Sequence, residues 1–230
     1  NMALAQMKLK NEAEAIEELR KAININPGFK PAHDTLLSIF IKADNRYEAR
    51  ETLQEMIKKF GKRPELMNIQ CRLLSIDGFN KQAITECQQA VLTSTQFPDN
   101  YIYLAQSLKD SDQEGESEKT LLHAARKFPK SEFVQWATGQ LYLRKQNYPV
   151  AQKYFLKASA ADAKSSRALF GLGESTVELG NYAEALDYYE RACKIDPNLR
   201  DGILTAAAKL RQKKEESWAK KLSQESLLCK

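Results

Sequence analysis

One alanine recurs along this chain at a fixed interval. Ala15, Ala49, Ala83, Ala151, Ala185 and Ala219 fall on a single 34-residue register whose remaining site is Ser117. Four and seven residues after these sites come Leu19 and Ala22, Leu53 and Met56, Cys87 and Ala90, Leu121 and Ala124, Phe155 and Ala158, Tyr189 and Ala192. An i, i+4, i+7 spacing is one buried face of an α-helix. A period of this length means that a short helical unit is repeated, and such a unit can bury its apolar stripe only against its neighbours.

The prolines obey the same register. With each unit counted from 1, so that the repeated alanine is position 20, Pro27, Pro129 and Pro197 fall at 32, Pro64 and Pro98 at 1, Pro31 at 2 and Pro149 at 18. Proline inside a helix loses a backbone hydrogen bond and clashes with the preceding turn, so these positions mark joints. The joints predict a helix A over about positions 1–14 and a helix B over about 17–31. Gly78 and Gly180 both occupy position 15, where a helix end favours a left-handed residue. Gly139, Gly173, Ala105 and Ala207 occupy position 8, so a small residue on helix A answers the small residue at 20 and lets the two helices approach. A larger side chain at 20 would wedge the pair apart.

The copy at 166–199 carries Leu172-Gly173, Gly180-Asn181-Tyr182, Ala185, Tyr189, Ala192 and Asp196-Pro197. The copy at 132–165 repeats Gly139, Tyr142, Asn147-Tyr148, Ala151 and Phe155. With these residues the unit resembles the tetratricopeptide repeat. The resemblance covers essentially the whole chain and is plainest in these two copies. It implies an all-α fold, a right-handed superhelical solenoid of antiparallel helix pairs with six to seven repeats. Residues 1–230 are then one solenoid with units at about 1–29 (truncated), 30–63, 64–97, 98–131, 132–165, 166–199 and 200–230. Because Asn1 would stand at position 6, the first helix A is short. Its apolar "MALAQM" leads us to expect upstream sequence that covers it. In the last unit Ser223 and Ser226 replace the apolar residues at 24 and 27, as in a polar cap.

In the resembled family helix A lines the concave side, and positions 2, 5, 9, 12 and 13 face outward there. Read onto this chain, those slots and their neighbours nominate Asn68 and Arg72, then Ile102 and Gln106, then Phe133, Trp136 and Gln140, then Arg167, Phe170 and Glu174. Ile102, Trp136 and Phe170 share position 5 in successive units, with Gln106 and Gln140 one turn away. Apolar anchors beside amides suit a groove for an extended or helical peptide. The alternative is that residues at position 5 shield the packing of helix A, as large apolar side chains usually do. Some members of the family clamp a C-terminal carboxylate with Lys and Asn in one unit, Asn in the next, and Lys and Arg in the third. No three consecutive units here match that set.

Catalytic signals are missing from the sequence. His33 and His123 lie ninety residues apart without a motif, and no HExxH, GxSxG or GxxxxGK[ST] occurs. "GLGEST" has two glycines in dinucleotide-loop spacing but sits inside a helix, where Gly173 reads as a packing residue and Gly171 has no evident role. Cys71 at position 8 and Cys87 at position 24 face one another within a unit and read as buried, inert thiols. The four sparse cysteines favour a reducing, cytoplasmic setting, with the periplasm open if a signal segment was removed. A net charge of +5 is too small to argue for a polyanionic partner, and no basic pair repeats from unit to unit as in RNA-reading solenoids. The expectation is a non-enzymatic interaction scaffold or adaptor without metal or cofactor, binding a protein or peptide ligand. Self-association through the N-terminal edge is a further expectation, and nucleic acid and a membrane span are not expected. A regulatory or targeting portion of a longer signalling protein or enzyme is the alternative.

Overall fold

The structure is a computed structural model that describes residues 2–94, 97–225 and 229, with the side chains of 2–10 and 225 left aside. Among the described residues it has thirteen α-helices, one 3-10 turn at Pro197–Leu199 and no strand. Two compact units divide the chain. The first, Asn1–Asp112, holds α1 (Met2–Ile25), α2 (Lys30–Lys42), α3 (Arg46–Phe60), α4 (Pro64–Ile76), α5 (Asn80–Thr93) and α6 (Asp99–Lys109). The second, Gln113–Lys230, holds α7 (Glu114–Lys127), α8 (Glu132–Arg144), α9 (Tyr148–Ala161), α10 (Ser166–Glu178), α11 (Tyr182–Ile195), α12 (Arg200–Gln212) and α13 (Glu216–Glu225).

Five of the predicted A–B pairs are present. Helices α2 with α3, α4 with α5, α8 with α9, α10 with α11 and α12 with α13 pack as antiparallel partners, and each unit stacks its own pairs in chain order. Every proline sits at a helix end or in a joint. The turn between A and B is set by one backbone device: position 15 has positive φ in all six complete or nearly complete repeats. Glycine takes it at Gly78 and Gly180, and Asp44, Asp112, Gln146 and Lys214 take it elsewhere, at φ between 52° and 64°. The following amide then reaches back to helix A, as in Asn147 N to Tyr142 O at 2.9 Å and Asn181 N to Thr176 O at 3.0 Å. These bonds satisfy carbonyls that a helix end would otherwise leave open.

Ala49, Ala83, Ser117, Ala151, Ala185 and Ala219 are all buried, as are the described residues at positions 24 and 27 from Leu53 to Ala192. Ala15 is the exception. It is exposed, and α1 runs as one helix through the expected turn near Lys10. Its buried contacts to the first unit's core come from Ile16, Leu19 and Ile23 instead. At the other end Ser223 is half-buried, and its hydroxyl donates to Ala219 O at 2.8 Å while accepting from Arg211 Nη2 at 3.1 Å. Ser226 lies outside the described residues.

Positions 8 and 24 meet closely within a pair. The Phe155 ring presses on Gly139, where an added Cβ would lie 2.6 Å from ring carbons, and Tyr189 presses on Gly173, where the distance would be 2.7 Å. Gly171, in the next repeat, closes on Phe155 from the other side at 2.6 Å, which supplies the role its sequence context did not reveal. In repeat 64–97 both sites are cysteine. The structure joins Cys71 to Cys87 in a disulfide, and Cys193 to Cys229, so the reading of inert thiols is corrected: the positions that seat a ring on a glycine elsewhere hold a covalent bridge here. Paired cysteines also withdraw the argument for a reducing compartment.

Replacing Gly171 by alanine should therefore destabilise the chain by about 1–3 kcal/mol through overpacking. The same change at Gly115, where an added Cβ meets nothing within 4 Å, should leave stability unchanged or raise it slightly. Denaturant unfolding of the two variants checks the contrast.

Candidate functional site

The nominated residues fall in both units. In the first, Asn68 on α4 donates from Nδ2 to Oδ1 of the buried Asn100 at 2.9 Å, which commits it to packing between neighbouring repeats. Arg72 borders a small cavity of about 190 Å³ with Leu73 and Tyr103. Ile102 is 9% exposed and offers little surface, while Gln106 is exposed and donates to Asp110 Oδ2 at 2.7 Å. A wider groove of about 820 Å³ opens between α2 and α4 beside Leu37, Ile41 and Ile69, with Asp34, Lys42 and Glu65 at its edges. No residue of α2 had been nominated from sequence.

In the second unit the structure brings most nominated residues together. Ser131 caps α8 and Ser165 caps α10, accepting from Val134 N at 3.4 Å and Ala168 N at 3.1 Å, and these caps place the two helix N-termini side by side. Glu132, in the first turn of α8 where a carboxylate favours the helix dipole, receives Arg167 Nε at 3.0 Å and the Ser165 hydroxyl at 2.5 Å. Arg167 is thereby held over two aromatic faces, 4.3 Å from the Phe133 centroid and 5.2 Å from that of Trp136. The two rings stack at 5.5 Å and 21°. Three nominated residues thus form one half-exposed aromatic and guanidinium surface, locked by Glu132. Glu132 escaped the sequence reading; its one signal is that it stands 35 residues before Arg167, one repeat plus one residue away.

Phe170 is turned inward. Its ring lies against Gly202, where an added Cβ would be 2.7 Å away, and meets Tyr189 edge-on at 5.3 Å. Gln140 and Glu174 do meet, the amide hydrogen-bonded to the carboxylate. Glu174 borders a cavity of about 250 Å³ shared by α8, α10 and α12, with Arg144, Glu178, Lys209 and Tyr189 also on its walls. The sequence reading overlooked Lys209 and Tyr189 here. Glu178 is paired with Lys213 at 2.5 Å.

His33 is buried, with Nε2 3.0 Å from Pro27 O and its ring edge-on to Phe60 at 5.3 Å, a packed core residue. Among the described residues no group of three or more His, Cys, Asp or Glu side chains is placed to hold a metal ion, and no described helix is long and apolar enough to cross a membrane.

Burial, opposed by Lys209 and the Gln140 amide and assisted by Glu178, holds the Glu174 carboxyl above its ordinary range. An acid with a raised folded pKa holds its proton more tightly in the folded chain. Its contribution to stability is complete below the unfolded pKa of about 4.3 and is lost as pH rises through the folded value. Glu174→Gln should accordingly be more stable than the parent at pH 7, with the difference shrinking as the pH falls towards about 4. Denaturant titrations at several pH values read this directly.

Comparison with known proteins places the fold. Models of the tetratricopeptide repeat match residues 137–200 and 1–29. Over 152 residues the chain is 27% identical to anaphase-promoting complex subunit 3 of Schizosaccharomyces pombe, a match that takes in 65% of this chain and 22% of that relative, so the chain spans about a fifth of its length. Among solved structures, the APC/C hetero-tetramer Cut9-Hcn1 superposes with a TM-score of 0.66 at 13% identity, covering 95% of this chain and 43% of that one. YrrB, described as a TPR protein with an unusual peptide-binding site, superposes at 0.50 with 15% identity over 79% of this chain and 94% of its own. With a 34-residue register and left-handed turns at position 15, the chain carries tetratricopeptide repeats where the family models match it, at residues 1–29 and 137–200.

Proposed function

We propose that this chain is a non-enzymatic protein-interaction scaffold that holds a segment of a partner polypeptide against the face formed by its A helices, the concave side in this family. The observation that carries the reading is the Phe133, Trp136 and Arg167 surface. Large rings left half-exposed, stacked on one another and fixed by a guanidinium, lose little freedom on binding, and aromatic and arginine side chains of this kind dominate binding energy at interfaces. Gln140 lies one turn further along α8 and supplies an amide for a bound backbone. The peptide-binding site named for YrrB and the multi-subunit setting of the anaphase-promoting complex relatives support the same kind of role.

A second form of this reading is favoured by the match to only 22% of a larger curated subunit: the same face serves as the docking portion of a longer polypeptide. A nucleic-acid role has less support. Lys213 is tied to Glu178 and Arg167 to Glu132, which removes positive charge from the helix A face instead of accumulating it.

Screening the chain on an array of peptides should yield binders that Trp136→Ala weakens by roughly 30-fold or more, the loss of an interface hot spot worth about 2 kcal/mol. Circular dichroism confirms that the variant keeps its helices. Because Phe170 fills the core against Gly202, its substitution is a poor probe. Peptide affinities unchanged in a folded Trp136→Ala chain would refute the proposed face.

A further inference from the structure

The two disulfides occupy different places in the repeat stack. Cys71–Cys87 joins positions 8 and 24 within one A–B pair, and both residues are 0% exposed, so a reductant reaches it only by parting α4 from α5. Cys193–Cys229 is placed otherwise. It ties α11 to a residue beyond α13, 36 positions along the chain, and so encloses α12 and α13 whole. Cys193 is 2% exposed, and Cys229, at 9%, is the most exposed of the four cysteines. Thiol–disulfide exchange begins with a thiolate at an accessible sulfur, which favours attack on this second bridge.

The joint that this bridge spans is only partly packed. Ile203, Leu210 and Leu222 share one apolar cluster with Val177, Tyr189 and both cysteines. Beside that cluster a cavity of about 250 Å³ lies between α10 and α12, with Glu174 and Glu178 on one wall and Thr205 and Lys209 on the other. The Lys213–Glu178 ion pair crosses the joint near the surface, where such a pair contributes little. A bridge closing a loop across 36 residues restricts the opened chain, so it holds α12 and α13 in place more firmly than this packing alone. Repeats are held by their nearest neighbours, and one helix pair can therefore open while the others stay folded.

We propose that Cys193–Cys229 is a redox clasp, opened in the folded chain by a dithiol reductant that leaves Cys71–Cys87 closed, and that its opening releases α12 and α13 from α10 and α11. One thiolate of the reductant attacks the Cys229 Sγ, the bond to Cys193 breaks, and Cys193 leaves as a thiolate that takes up a proton. The second thiol of the reductant then displaces Cys229. Two electrons pass to the protein, which holds two thiols, and the reductant departs as a disulfide. Release uncovers the apolar surface of α10 and α11, including Phe170, whose ring rests against Gly202 in the closed form.

The test treats the oxidised full chain with graded dithiothreitol, traps free thiols with N-ethylmaleimide and identifies the labelled cysteines by peptide mass spectrometry. Cys193 and Cys229 should become labelled about tenfold or more faster than Cys71 and Cys87, as their difference in access requires. Under the same conditions circular dichroism should keep its helical signal. Amide hydrogen exchange in α12 and α13 should rise roughly 100-fold, in keeping with the loss of a loop closure of this length, while α8 and α9 stay unchanged. Reoxidation with glutathione disulfide should restore protection, and Cys229→Ser should show the open behaviour without reductant. Four outcomes overturn the proposal: labelling of Cys193 and Cys229 before reductant is added, both bridges opening at one rate, opening only with loss of the helical signal, or exchange in α12 and α13 that does not respond to the bridge.

Discussion

The architecture depends on how closely helix A and helix B of one repeat approach at positions 8 and 24. Where helix A offers glycine, helix B places a ring, as Gly139 with Phe155 and Gly173 with Tyr189. The repeat at 30–63 fills the two sites with Leu37 and Leu53, and the repeat at 64–97 with the Cys71–Cys87 bridge. The summed volume is shared differently each time, yet the space is always occupied, because interiors pack at crystal-like density and neither voids nor clashes are tolerated cheaply. Alanine or serine at position 20 keeps the same seam thin. With the pairs held at that spacing, each next repeat has a matching surface to stack on, and Gly171 and Gly202 extend the arrangement from one repeat to the next.

That dry, repeating seam leaves the other side of the A helices free to vary. In the second unit this side carries an aromatic and guanidinium surface near the N-termini of α8 and α10, and a polar cavity towards their C-terminal ends. The two places differ in energetic character. Phe133, Trp136, Arg167 and Glu132 satisfy one another, so they form a stable, ready-made contact surface. At the cavity the Tyr189 hydroxyl has no hydrogen-bond partner among the described residues, and the Glu174 carboxyl, bonded to the Gln140 amide, sits where burial disfavours its charge.

The register, the helix pairs and the identity of the buried seam were legible because a period of 34 makes each repeat a control for the others. What the register could not show is whatever depends on the neighbouring repeat. Gly171 looked purposeless within its own helix because its partner ring, Phe155, belongs to the repeat before. Ala15 sits on the register but is exposed, with α1 running unbroken where the register expects a turn. Cys71 and Cys87 hold the same two positions as Gly139 and Phe155, a coincidence that signalled contact but not a bond. Left-handed turns were visible at Gly78 and Gly180, whereas Gln146 and Lys214 adopt the same backbone under the geometry of the repeat rather than by residue preference. Of the nominated face, Phe133, Trp136 and Arg167 converge while Phe170 turns inward, because Gly202 leaves a hollow that only the folded neighbour reveals.

The most direct measurement of this account is a double-mutant cycle on Gly139 and Phe155. Gly139→Ala overpacks the seam and Phe155→Leu empties it, so each alone should lower stability, while in the pair the smaller leucine leaves room for the added methyl group. Mutual compensation predicts that the double variant loses less than the sum of the single losses, with a coupling of about 1 kcal/mol or more. Losses that simply add would show that the two sites are independent, and would contradict the contact on which the fold is argued to rest.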